Sequence, residues 1–71
     1  MTDFTDFQKI DLEVLLASGA KEIFTFAELR AIPEGWTMLG NYVEPNHEYG
    51  YTETLARVLK GDSGQIYIYW L

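Results

Sequence analysis

The sequence predicts an α+β domain in which three short helices precede a C-terminal β-hairpin. Three observations carry this. Two Thr-x-x-Gln/Glu capping signals, at Thr5 and Thr25, each stand at the head of apolar residues at helical spacing. A third apolar set, Trp36, Leu39, Tyr42 and Val43, falls at i, i+3, i+6 and i+7. The chain then ends on QIYIYWL, an alternating run preceded by the turn cluster GDSG. A length of 71 residues holds one domain, spanning 1–71.

The first helix is expected over about residues 5–18. Thr5 and Gln8 form its capping box, and Phe7, Ile10, Val14 and Ala17 recur at helical period. Gly19 stands where a helix closes in the left-handed conformation. Ile23 and Phe24 then make a short extended link. The second helix is expected over 26–32, with Thr25 and Glu28 as capping box and Phe24 and Leu29 as hydrophobic staple. Pro33 stops it, because the residue before a proline is pushed out of the α region.

Pro33, Glu34 and Gly35 read as a turn, and the third helix follows over 36–43. Gly40 weakens that helix by about 1 kcal/mol, and a strand is the competing reading of the segment. Residues 44–50, EPNHEYG, read as a loop. The last strand covers 65–71, with Ile66, Ile68 and Trp70 on one face and Tyr67, Tyr69 and Leu71 on the other. Its partner is expected at 54–60, since a lone strand leaves its backbone groups unpaired. A helix capped by Thr52 and closed by Gly61 is the alternative for 52–60.

Composition narrows the function. A chain this short buries only about 60% of its unfolded surface. Without cysteine it has neither disulfides nor thiolate metal ligands. Two Trp, five Tyr and four Phe are its means of building a core. Eleven acids against five bases give a net charge of −6, which repels nucleic acid and anionic membranes and favours basic partners. No lysine or arginine stands between Arg30 and Arg57, a stretch that holds Glu34, Glu44, Glu48 and Glu53. The opening MTDFTDF is acidic where a signal peptide is basic, and no apolar run nears the roughly 20 residues a membrane span needs. A cytoplasmic protein without a membrane partner is the expectation.

Helix, short strand, helix, turn, helix, hairpin is the order of a winged helix-turn-helix domain. The chain resembles that family in pattern across nearly its whole length, with 24–43 as the helix-turn-helix and 55–71 as the wing. The resemblance implies DNA binding through the third helix and wing, which places Thr37, Asn41, Arg57 and Lys60 on the nucleic acid, with Gly40 and the 61–64 tip beside them. The charge departs from this pattern: Glu34, Glu44 and Asp62 stand where such domains carry phosphate-neutralising cations.

No catalytic constellation is legible. GDSG at 61–64 matches the nucleophile segment of trypsin-like serine proteases, but 71 residues cannot build the scaffold that chemistry needs, and a turn is the better reading. His47 is the only histidine and has no neighbouring metal-ligand pattern. Asp11 and Glu13 are too close in sequence to share a helix face and read as solvated surface. No cofactor or metal signature appears, and the chain is expected not to be an enzyme. The tyrosines exceed what one face of so small a core absorbs, and aromatics with polar tips are enriched at interfaces.

The expected function is therefore a protein-interaction module, in its concrete form a phage or mobile-element inhibitor occupying a basic, nucleic-acid-binding site on a partner. Its contact residues are Glu34, Glu44, Glu48, Glu53, Tyr42, Tyr49, Tyr51, Tyr67 and Tyr69. A homodimer paired through the C-terminal strand is a further expectation. The alternative is a small winged helix-turn-helix transcriptional regulator using Thr37, Asn41, Arg57 and Lys60.

Overall fold

The structure, a computed structural model, describes residues 5–71, and of Thr5 the backbone alone. It contains five strands and two helices: β1 (Thr5–Phe7), α1 (Lys9–Ala17), β2 (Lys21–Ile23), α2 (Phe26–Arg30), β3 (Trp36–Asn46), β4 (Tyr51–Gly61) and β5 (Ile66–Trp70). The strands form one mixed sheet in the order β1-β3-β4-β5-β2. β1 runs parallel to β3 and β2 parallel to β5, while β4 is antiparallel to both its neighbours.

This is not a winged helix. The expected third helix is the strand β3, and the domain is a sheet with one helix on each face rather than three helices followed by a hairpin. The chain crosses from the β1 edge to the β2 edge through α1 and returns to β3 through α2. Two crossovers of the same hand that run in opposite directions place their helices on opposite faces. The core divides accordingly. Leu12 of α1 packs with Tyr42, Ala56, Val58 and Ile68 on one face. Leu29 of α2 packs with Ile23 and Leu59 on the other.

Why 36–43 is a strand follows from two bulges and from burial on both faces. Met38 pairs with Leu59 and Gly40 with Val58, so Leu39 is an extra residue that breaks the period of two. Trp36 and Val43 then face α2 while Leu39 and Tyr42 face α1, and the combined apolar spacing imitates a helix. Trp, Thr, Tyr and Val favour a pleated surface, and glycine inside a strand commonly accompanies a bulge. The first helix is also shorter than expected. Residues 5–7 are strand, and the capping pair is Gln8 and Asp11, whose carboxylate accepts the Gln8 N–H at 2.7 Å. The Thr5 side chain invoked for that cap lies outside the described residues.

Other local signals act as chemistry dictates. Gly19, at φ 102°, closes α1 while the Ala20 N–H donates to Leu15 O at 3.0 Å and the Gly19 N–H to Leu16 O at 3.2 Å. The Thr25 hydroxyl accepts the Glu28 N–H at 3.1 Å, and Glu28 reaches back to the Phe24 N–H at 3.2 Å. Phe24 stays 62% exposed, so the buried Leu29 is held by the sheet rather than by a staple. GDSG forms the β4–β5 turn, with the Gly61 N–H donating to Gln65 O at 2.8 Å. The strand option holds for 52–60, which lies within β4.

Candidate functional site

β3 and β4 each run for eleven residues, yet the sheet supports only part of them. β1 pairs with β3 at 40–42, and β5 pairs with β4 at 56–60. Among the described residues, 43–54 therefore pair only with one another and form a two-stranded arm closed by the turn at 47–50. The segment expected to be a loop from Glu44 onward is strand as far as Asn46.

Strand alternation sorts the arm's side chains by chemistry. Tyr42 lies on the α1 face of the sheet, so Glu44 and Asn46 continue along that face, and their cross-strand partners Glu53 and Tyr51 share it. The opposite face carries Val43, Pro45, Thr52 and Thr54, none of them charged. Glu44 and Glu53 stand directly across from each other, where like charges cost stability. Each is hydrogen-bonded to a neutral group. Glu44 accepts from the Tyr42 hydroxyl, and Glu53 accepts from Asn46 Nδ2 at 3.3 Å.

At the turn, Asn46 Oδ1 accepts the Tyr49 N–H at 3.4 Å. Tyr49 and Tyr51 stack with ring centroids 5.8 Å apart and planes 28° from parallel, while remaining 67% and 53% exposed. His47 and Glu48 share this turn.

Tyr42 is the root of the arm rather than a contact residue. It is 5% exposed and meets Trp70 edge-on at 5.8 Å. Its phenol is pushed up to about 12, first by the hydrogen bond to Glu44, then by burial and by the negative charge of Glu44 and Glu13. The folded state thus favours the neutral phenol, whereas an unfolded tyrosine ionises near about 10. The resulting stability is complete below about pH 10 and is lost as pH rises from there through about 12. A spectrophotometric titration should show a tyrosine ionisation near pH 12 that Tyr42→Phe removes. Tyr42→Phe should flatten the fall in urea midpoint across that window. An unchanged slope in the variant would remove Tyr42 as its source.

The remaining predicted residues scatter. Glu34, at φ 65°, sits in the turn before β3, away from the arm. Tyr67 and Tyr69 are half-buried against the α2-side core and are not part of the arm. Thr37 pairs with Lys60 and Asn41 with Arg57, but strand alternation puts the two pairs on opposite sheet faces. Arg57 is turned into a local network, donating to Asn41 Oδ1 at 3.2 Å and to Met38 Sδ at 3.8 Å. These four residues do not form one reading surface. The C-terminal strand is also not a free edge, because β2 pairs with it at 67–69.

One contributor reads from sequence only as solvated surface: Glu13, whose charge reaches Tyr42 and extends the acidic face onto α1. Its helical position was legible, but its neighbours on the sheet were not.

Elsewhere, a half-open pocket of about 130 Å³ lies between the end of α1 and the β4–β5 turn, lined by Leu15, Gly19, Ala20, Gly64, Gln65 and Ile66. Gln65 Nε2 crosses it to donate to Gly19 O at 2.8 Å. Among the described residues, no group of three or more His, Cys, Asp or Glu is placed to hold a metal. No helix among them is long and apolar enough to cross a membrane. No family model, curated protein or solved structure matches this chain.

Proposed function

We propose that the protein is a non-enzymatic interaction module whose arm docks on a basic surface of a partner protein. In concrete form it is a cytoplasmic inhibitor, of phage or mobile-element type, that occupies a site otherwise used for nucleic acid. The observation that supports this most is the segregation of charge and aromatics on the arm. Glu44, Glu53, Asn46 and Tyr51 share one face, Tyr49 stacks beside them, and the reverse face is uncharged. Surfaces built to hold phosphates present clustered lysine and arginine, and an anionic surface complements the same cations. Exposed tyrosines add rigid apolar area to such a contact. Ionic screening over about 8 Å confines the attraction to close approach, which a projecting arm achieves.

The test is a comparative pull-down from cell extract with the wild-type chain and a Glu44→Gln, Glu48→Gln, Glu53→Gln triple variant, each bait first verified as folded by circular dichroism. The wild type should retain a protein with a basic surface that the variant releases, and adding the wild type should displace nucleic acid from that purified protein. Equal retention by both baits, or a retained partner without a basic surface, removes the proposal.

A further inference from the structure

We infer that the arm selects arginine side chains of its partner, stacking a guanidinium on the Tyr49/Tyr51 pair beside the Glu44 and Glu53 carboxylates. This rests on the reading of the arm as a docking surface and states what that surface recognises.

The starting point is the tyrosine pair. Tyr49 and Tyr51 are two of the largest apolar side chains in the molecule, and both remain more than half exposed. Their rings lie near-parallel with centroids 5.8 Å apart, an offset arrangement that leaves ring surface open to solvent. An aromatic face carries negative potential and attracts a cation placed over it. Tyr51 lies on the arm face that also carries Glu44 and Glu53, a like-charged pair directly opposed across the strands. Both carboxylates are held by neutral donors, the Tyr42 hydroxyl and Asn46 Nδ2, so their positions are fixed while their charges are not neutralised by those donors. Ring faces and carboxylates thus call for the same complement, a cation with a flat apolar surface.

Guanidinium fits that description better than ammonium. It is planar and weakly hydrated, stacks on aromatic faces, and presents a fork of N–H donors that matches a carboxylate. A lysine ammonium is compact and strongly hydrated, so it gains the Coulombic attraction without the stacking. A divalent metal is a poorer fit, since no cluster of three ligating side chains exists among the described residues. Charge complementarity settles the class of occupant, because no lysine or arginine stands between Arg30 and Arg57 to compete from within the arm.

The test is an amide chemical-shift titration of the isotope-labelled full chain with two peptides of equal length and charge, one of Arg-Gly repeats and one of Lys-Gly repeats. The Arg-Gly peptide is expected to shift residues 44–53 and to bind roughly fivefold more tightly than the Lys-Gly peptide, the scale of one exposed cation–π contact. Tyr49→Leu with Tyr51→Leu should lower the Arg-Gly affinity to the Lys-Gly level, and Tyr49→Phe with Tyr51→Phe should restore the difference. Glu44→Gln with Glu53→Gln should weaken both peptides together. Equal affinities with shifts on the arm would overturn arginine selection while leaving the arm as a docking surface. Shifts centred outside residues 43–54 would overturn both readings, and no binding of either peptide overturns the selection.

Discussion

Leu59→Ala is expected to move the urea midpoint far enough to leave a substantial unfolded population at 37 °C, and Ile68→Ala to do the same from the other side of the sheet. Both side chains are fully buried, Leu59 against Ile23 and Leu29, Ile68 against Leu12, Tyr42, Ala56 and Val58. Truncating a buried leucine or isoleucine to alanine costs about 2–5 kcal/mol, from lost transfer energy and the cavity left behind. A domain of 71 residues commands roughly 4–10 kcal/mol in total. Either change therefore removes a large fraction of the whole, and the two together should leave no cooperative transition. Because Val58 and Leu59 are adjacent on β4 yet face different clusters, the two half-cores share a backbone. Far-ultraviolet dichroism and tryptophan fluorescence should follow one common transition in each single variant. A loss below about 1 kcal/mol at either site would mean that its cluster is not the core described here.

The parts of this fold that were legible are those in which a residue's immediate neighbours determine its conformation. Thr25 caps a helix because its hydroxyl meets an N–H three residues on, and Gly19 ends one because only a residue without Cβ enters the left-handed region freely. Ile66, Ile68 and Trp70 alternate with Tyr67 and Tyr69 in the sheet as they do in the chain. The segment 36–43 misled because Leu39 is a bulge in a strand buried on both faces, and a bulge is a property of the pair of strands rather than of one.

Pro45 suggested a loop, yet at that point β3 has extended past β1 and has one free edge, where proline is tolerated in a strand. The acids and tyrosines of the candidate site were visible in composition, but not their arrangement. A second irregularity, with Tyr42 opposite Ala56 and Val43 opposite Thr54, makes Leu55 an extra residue on β4. Without it Glu53 would fall on the opposite face of the arm from Glu44, because a one-residue slip inverts every side chain that follows. The burial of Tyr42 is not legible in the sequence for a related reason: it depends on Leu12 and Trp70, contacts made only after the sheet forms.

Glu53→Lys is expected to stabilise the protein and disable it in the same step. In the wild type Glu53 opposes Glu44 directly across the strands, and opposite charges in that arrangement are favourable where like charges are not, with each such pair contributing roughly 0.2–1 kcal/mol. Reversing one charge removes the repulsion and adds an attraction. The hydrogen bond from Asn46 that is lost is exposed and 3.3 Å long, so its loss offsets little of the gain. At about 1 kcal/mol net, the melting temperature should rise by roughly 4–8 °C. Binding should move the other way. A lysine in the middle of the acidic face places a like charge against the partner's cations, and a truncated or reversed charge within a desolvated contact costs about 2–5 kcal/mol, on the order of a hundredfold in affinity. The charge-neutral control Glu53→Gln should gain less stability and lose less affinity. Such opposition between stability and binding is what a functional like-charge pair predicts, since a purely structural arm gains nothing by keeping Glu44 and Glu53 face to face. A Glu53→Lys protein that melts higher and still captures the wild-type partner at equal affinity would place the contact elsewhere on the molecule.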